Sequence, residues 1–277
     1  MLALPPAGQP GGVSTPRLWS TALSPDPRVL LAPDEPWLLL HAFPLGSAIF
    51  SRLVPALLGC GRRVLLADLP GLGASPVPSE EPTMDVVGDA VAAVLDAHEV
   101  EAAHVLGIST GGYAALEVTR TRPDRVAGLV LASTTPWRIE PDEPDVRRET
   151  ARTVERDGST ASLADVPEAA LGPTAHREQP DLVDLVAGLV AAADPAGVAW
   201  IARAIAARHD TADVVAAFPR EVHLLFGAED RDTPPARAEQ IAALRPSGAP
   251  TRVTVLPATG HLTVLERPRE VAESLLG

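Results

Sequence analysis

The chain has 277 residues, 46% of them hydrophobic, which suffices for one large domain or two small ones around a substantial core. Acidic residues outnumber basic ones 36 to 23, a formal charge of −13 at pH 7 that leaves no electrostatic footprint for DNA or RNA. The single cysteine, Cys60, excludes an intramolecular disulfide and any cysteine-held metal cluster, so a cytoplasmic setting is the simplest expectation.

Residues 1–35 are rich in Pro, Gly and Ser and carry no positive side chain before Arg17. They predict irregular structure with room for one weak strand, and they lack a signal peptide's apolar run. The run WLLL at 37–40 reads as a short buried strand, and residues 47–58, beyond Pro44 and Gly46, read as a helix. RRVLLAD at 62–68 is the next strand, and the turn-rich loop LPGLGASPVPSEEP follows it. An amphipathic helix comes after, its apolar positions Met84, Val87, Val91, Val94 and Leu95 keeping the helical period, with Thr83 as N-cap. Residues 102–107 predict a third strand, a helix runs from Thr110 to about Arg122, and 125–133 predict a fourth strand. Cys60, closing the helix at 47–58, reads as a small buried hydrophobe.

Between 136 and 218 the strand signal disappears; the segment holds 15 acidic residues against 8 arginines and Ala-rich helical patterns at 181–193 and 199–207. It reads as a helical insertion. Alternation resumes with a strand at 221–227, a helix at 234–244, a strand at 251–257 and a final helix from about 268. Strands alternating with helices predict an α/β fold with a mostly parallel sheet covered on both faces, residues 36–135 and 219–277 forming the core. No run approaches the ~20 apolar residues that cross a bilayer, so an integral membrane protein is not expected.

At the end of the third strand stands Gly107-Ile108-Ser109-Thr110-Gly111, a GxSxG pentapeptide. A serine on so tight a strand-to-helix turn is held in a strained conformation that projects its hydroxyl, and small neighbours two residues either side let the segments approach. A hydroxyl is a poor nucleophile at neutral pH, so a neutral imidazole must take its proton, and a carboxylate must hold that imidazole in the right tautomer. Further landmarks are His41-Ala42-Phe43-Pro44 after the first clear strand, Asp68-Leu69-Pro70-Gly71 after the second, and Gly227-Ala228-Glu229-Asp230 and Thr259-Gly260-His261 near the end.

With these landmarks in this order, the chain from about 36 to 277 resembles the α/β-hydrolase fold superfamily. The likeness is to the capped group of 3-oxoadipate enol-lactonases, small esterases and cofactor-free haloperoxidases. The resemblance implies a catalytic order of Ser109, Asp230 and His261, with the amides of Phe43 and Thr110 as an oxyanion hole and no metal or organic cofactor. Ala42 stands where the family usually has glycine. Asp232 or Thr233 is expected to cap the helix that Pro234 and Pro235 open, which leaves Asp230 free to turn inward.

His41 and Trp137 are candidates for substrate contact, with loop-holding and packing as their competing roles, and Asp68 is expected to fix its own Gly-rich loop. The implied activity is hydrolysis of a small ester or lactone through an acyl-enzyme, on a small-molecule substrate that the 136–218 segment selects as a lid. Relatives of similar sequence include lyases, carbon–carbon bond hydrolases, perhydrolases and non-catalytic ligand-binding proteins, and these alternatives stay open. The sequence assigns no oligomeric state.

Overall fold

The computed structural model describes residues 15–26, 35–138 and 143–276. Its seven strands are β1 (Ser20–Leu23), β2 (Trp37–Leu40), β3 (Val64–Ala67), β4 (Ala103–Ile108), β5 (Val126–Ala132), β6 (Val222–Gly227) and β7 (Thr251–Leu256). They form one sheet in the order β1-β3-β2-β4-β5-β6-β7, in which β1 pairs antiparallel with β3 and every other pair is parallel. Helices α1 (Leu53–Gly59), α2 (Met84–Ala97) and α3 (Thr110–Thr121) connect the early strands. Then α4 (Glu143–Asp157), α5 (Val166–Ala170), α6 (Pro173–Glu178), α7 (Pro180–Ala192), α8 (Pro195–Ala207) and α9 (Ala212–Ala217) fall between β5 and β6. The chain ends with α10 (Ala236–Ala242), α11 (Thr263–Glu266) and α12 (Pro268–Leu276).

Strand side chains alternate between two cores, as their period of two requires. Leu38, Leu40, Val105, Leu129 and Leu131 pack on one face with α2, α3 and α8. Trp37, Leu39, Leu106, Val130 and Ala132 pack on the other with α1, α7 and α12. Both faces are therefore covered, which is why β2 reads as an unbroken apolar run with all four residues buried. Helix α2 begins as its sequence predicts: Thr83 accepts from the Val86 amide at 3.3 Å, and Met84, Val87, Val91, Val94 and Leu95 are buried.

Two expectations are corrected. The helix expected over 47–58 is a 3-10 turn at Ser47–Phe50 followed by α1 from Leu53. Pro55 has no N–H for the carbonyl one turn earlier, which favours a break there, while the Ser47 amide, at the start of the segment, donates to Asp68 Oδ1 at 2.6 Å. Cys60 is exposed as the C-cap of α1, not buried. The N-terminal segment does supply a strand, β1, at the sheet edge, while residues 1–14 and 27–34 of that expected irregular region lie outside the described residues.

Among the described residues between β5 and β6 only helices occur. The two ends of this segment meet where the Thr211 amide and hydroxyl both donate to the Pro136 carbonyl, at 2.9 and 3.1 Å. Helix α4 packs along α8, joined by an Arg203–Glu155 ion pair. Helix α8 in turn docks on the loop after β3: Trp200 Nε1 donates to the Glu80 carbonyl at 3.0 Å, and a Cβ on Gly197 would stand 1.7 Å from the Gly71 oxygen. No single helix among the described residues is long and apolar enough to cross a membrane.

Candidate active site

In a parallel sheet the carboxyl ends of the strands collect on one edge, and here β2, β4, β6 and β7 each deliver one part of a site there. Ser109 lies between β4 and α3 with φ 54° and ψ −117°, a left-handed backbone that L residues rarely adopt. The turn is clamped from both sides, the Ser109 amide donating to the Ala132 carbonyl at 2.9 Å and the Ser109 carbonyl accepting from Thr134 Oγ1 at 2.7 Å. The GxSxG glycines have a steric reason. A Cβ on Gly107 would stand 2.2 Å from the Gly111 oxygen, and one on Gly111 would stand 2.0 Å from the Leu40 oxygen.

Asp230 and His261 are brought together as the chain order implied. His261 Nδ1–H donates to Asp230 Oδ2 at 2.9 Å, both side chains being nearly fully buried. The carboxylate is acceptor-only, so it fixes the proton on Nδ1 and leaves Nε2 as the base. Burial pushes the Asp230 carboxyl up, but the His261 imidazole and the Thr233 amide outweigh it and hold Asp230 below its usual value. For His261, burial works against the charged form, yet Asp230 and then Asp232 raise its pKa above 6.5.

The expected division of labour at this loop needs correcting. Neither Asp232 nor Thr233 caps the following helix, which starts at Ala236 without a side-chain cap. Asp230 instead holds its own loop as well as the imidazole: its second oxygen, Oδ1, accepts from the Asp232 and Thr233 amides at 3.0 and 2.8 Å. Its neighbour Glu229 faces the other way and accepts from the Thr174 amide and hydroxyl at 2.8 and 2.6 Å, which holds α6 to the end of β6.

Phe43, Ser109, Thr110, Asp232 and His261 line one cavity of about 170 Å³. Arg147, Thr150, Leu163, Val166, Ala169 and Ala170 of the helical segment line its other side. The Ala170 carbonyl accepts from the His261 and Leu262 amides at 3.0 and 3.2 Å, so the end of α5 rests on the histidine loop. Neither the Phe43 amide nor the Thr110 amide donates to a protein acceptor among the described residues. Two amides left open beside a serine at a helix start can receive a developing negative charge. Ser109 Oγ likewise has no hydrogen-bond partner among the described residues, so it is not yet bonded to His261 Nε2.

The two candidate substrate contacts do not reach this cavity. His41 is fully buried; its Nε2 accepts from the Leu69 amide at 2.8 Å and its Nδ1 donates to the Ala42 carbonyl at 3.0 Å. Burial outweighs nearby Asp68 and keeps its pKa low, so it stays neutral and staples the β2 loop to the β3 loop. Trp137 sits at the root of the helical segment, its carbonyl accepting from Arg208 at 2.7 Å and its ring 5.7 Å from the Arg237 guanidinium. Asp68 fixes its own loop as expected, accepting from the Ser47 and Ala74 amides at 2.6 and 2.9 Å.

Sequence reading missed Asp232 and Arg147. Asp232 Oδ2 lies 3.9 Å from His261 Nε2, and only the structure shows that proximity. Arg147 had a readable signal: with Ala151 and Val154 it occupies positions i, i+4 and i+7, the stripe that α4 turns inward.

A pH dependence follows. Only a neutral imidazole can accept a proton, so kcat/KM should fall on acidification through a midpoint above the ordinary 6.5. Asp232→Asn removes one charge that stabilises the imidazolium. The midpoint should then move to lower pH, and an unchanged or raised midpoint in a pH–rate profile would contradict the account.

A sequence model of the alpha/beta hydrolase fold family matches residues 35–268, and the chain belongs to that family. It is 30% identical to a pimeloyl-[acyl-carrier protein] methyl ester esterase of Aromatoleum aromaticum, over 84% of this chain and 94% of that protein. It is 41% identical to a 2-hydroxy-6-oxononadienedioate/2-hydroxy-6-oxononatrienedioate hydrolase of Cupriavidus pinatubonensis, but over only 31% of this chain and 30% of that protein. Among solved structures, a thermophilic esterase of Thermogutta terrifontis superposes with a TM-score of 0.84 at 27% identity, covering 94% of this chain and 92% of that one. The enol-lactonase of Burkholderia xenovorans shares the fold with a TM-score of 0.80 at 20% identity, covering 94% of this chain and 95% of that one. The chain is thus an alpha/beta hydrolase related to esterases and carbon–carbon bond hydrolases.

Proposed function

We propose that the protein hydrolyses a small carboxylic ester or lactone through an acyl-enzyme on Ser109. The observation that carries this reading is the 2.9 Å hydrogen bond from His261 to Asp230, with His261 lining the same cavity as a strained, open Ser109. Ser109 Oγ attacks the carbonyl carbon while His261 Nε2 takes its proton, and Asp230 stabilises the imidazolium that forms. The resulting oxyanion lies on the Phe43 and Thr110 amides, each such donor being worth roughly 10²–10³ in rate. Collapse expels the alkoxide, which takes the proton from His261; water then enters, His261 again acts as base, and the carboxylic acid leaves.

The segment from 136 to 218 acts as a cap over the strand ends and sets substrate size and shape. The cavity of about 170 Å³ falls below the ~300 Å³ at which drug-sized ligand sites begin, and so favours short acyl and alcohol groups. The near full-length likeness to a methyl ester esterase supports the ester reading.

A second reading keeps the same residues and cleaves a carbon–carbon bond of a vinylogous diketone, favoured by the short but closer match to the Cupriavidus hydrolase. Steady-state kinetics on short methyl and aryl esters, small lactones and a vinylogous diketone separate the two. The ester reading predicts the highest kcat/KM on an ester or lactone; a diketone turned over 100-fold better than any ester would overturn it.

A further inference from the structure

Glu266, at the end of α11, is a buried carboxylate that the hydrolysis steps do not use. Its Oε2 accepts from two amides in different parts of the molecule, that of Gly260 in the histidine loop at 2.8 Å and that of Gly172, between α5 and α6, at 3.1 Å. Both glycines are buried and neither amide donates to a backbone carbonyl among the described residues, so Glu266 alone satisfies them. Its Oε1 has no hydrogen-bond partner among the described residues. Burial pushes the Glu266 carboxyl above its ordinary value, against the pull of the Gly260 and Gly172 amides. A proton on Oε1 leaves both bonds to Oε2 in place, so this junction calls for the acceptor oxygen and not for the charge.

The two segments it joins are in close contact. A Cβ on Gly172 would stand 2.8 Å from the Gly260 nitrogen, and the Ala170 carbonyl takes the amides of His261 and Leu262. Ala169 and Ala170 line the cavity opposite Ser109, and His261 lines it from the other segment. From this arrangement we infer that Glu266 is a positioning residue: one buried oxygen ties the helical segment to the histidine loop and so sets how far the cavity wall at Ala169 and Ala170 stands from His261. The inference rests on the hydrolase reading above and adds to it a residue that decides which acyl groups fit. Without the tie, two buried amides lose their acceptor, and the wall and the imidazole drift apart.

The test uses Glu266→Ala, which removes the acceptor, and Glu266→Gln, which keeps one oxygen in its place. In each protein kcat/KM is measured for p-nitrophenyl acetate and p-nitrophenyl hexanoate. The ratio of the two, taken within one protein, does not depend on how much of it is folded. Glu266→Ala should lower the acetate-to-hexanoate ratio by about tenfold or more and cut kcat on the acetate by roughly 10- to 100-fold, since the wall and the imidazole both lose their fixed places. Glu266→Gln should recover most of both losses. A merely structural role would lower the two substrates alike and leave the ratio unmoved.

Hydrogen exchange read by mass spectrometry gives a second readout, independent of turnover. In Glu266→Ala, peptides covering 169–175 and 257–262 should both exchange about tenfold faster relative to a peptide from α2 in the same protein, and in Glu266→Gln neither should. A ratio unchanged in Glu266→Ala, a Glu266→Gln variant as altered as Glu266→Ala, or faster exchange in only one of the two peptides or in neither, overturns the inference, while turnover of p-nitrophenyl acetate by wild type keeps the hydrolase reading. Wild type that hydrolyses neither ester overturns that reading, and the exchange result then decides the junction by itself.

Discussion

Ser109→Ala should lower ester turnover by about 10⁴-fold or more and leave the fold intact. The substitution removes only an oxygen that has no hydrogen-bond partner among the described residues, while the clamps on the turn are made by the backbone of Ser109 and remain. The left-handed φ of 54° is carried by alanine no worse than by serine, so stability should change little. The residual rate would come from the two open amides and from water activated by His261. A circular dichroism melt beside a rate assay checks both halves. Turnover within tenfold of wild type would remove Ser109 from the nucleophile's role.

Gly111→Ala should have the opposite profile, a loss of fold that takes the activity with it. The new methyl group would lie 2.0 Å from the Leu40 carbonyl oxygen and 2.9 Å from that of His41. Both are backbone atoms in fully buried segments, so neither can move aside cheaply. Relief requires α3 to lift off the end of β2, which separates Thr110 from Phe43. Overpacking of this kind costs about 3 kcal/mol or more where backbone must shift. Gly188→Ala is the control: in α7, with no atom within 4 Å of the added carbon, it should stabilise by about 0.5–1 kcal/mol through helix propensity alone. Urea denaturation of the pair should shift midpoints in opposite directions. Equal midpoints would show that the close approach at the turn is not tight.

How far the sequence carries these conclusions depends on the range of the forces involved. The strand runs at 37–40 and 126–132, the period of α2 and its Thr83 cap are written locally, and they appear where the residues predict them. The serine turn is legible because its steric requirement falls on glycines two residues either side. The pairing of Asp230 with His261 was legible only through resemblance, since 31 residues separate them.

What depends on contacts between distant segments was not legible. The first amide of the 3-10 turn, that of Ser47, is held by Asp68, 21 residues away. His41 is consumed by the Leu69 amide, and Trp137 faces the root of the helical segment instead of the cavity. The exposure of Cys60 turns on how α1 ends. Arg147 is the intermediate case: its place on the buried stripe of α4 is in the sequence, but the ring of Phe43 beneath it is not.

The central claim is that Ser109 is an activated nucleophile in a cavity shared with His261. A fluorophosphonate probe tests it most directly, because it forms a covalent adduct only with a serine whose proton is taken as it attacks. Peptide mass spectrometry of the labelled wild-type protein should find one adduct, on Ser109, and none in Ser109→Ala. Labelling of another residue, or a folded wild-type protein that takes no label, would contradict the account.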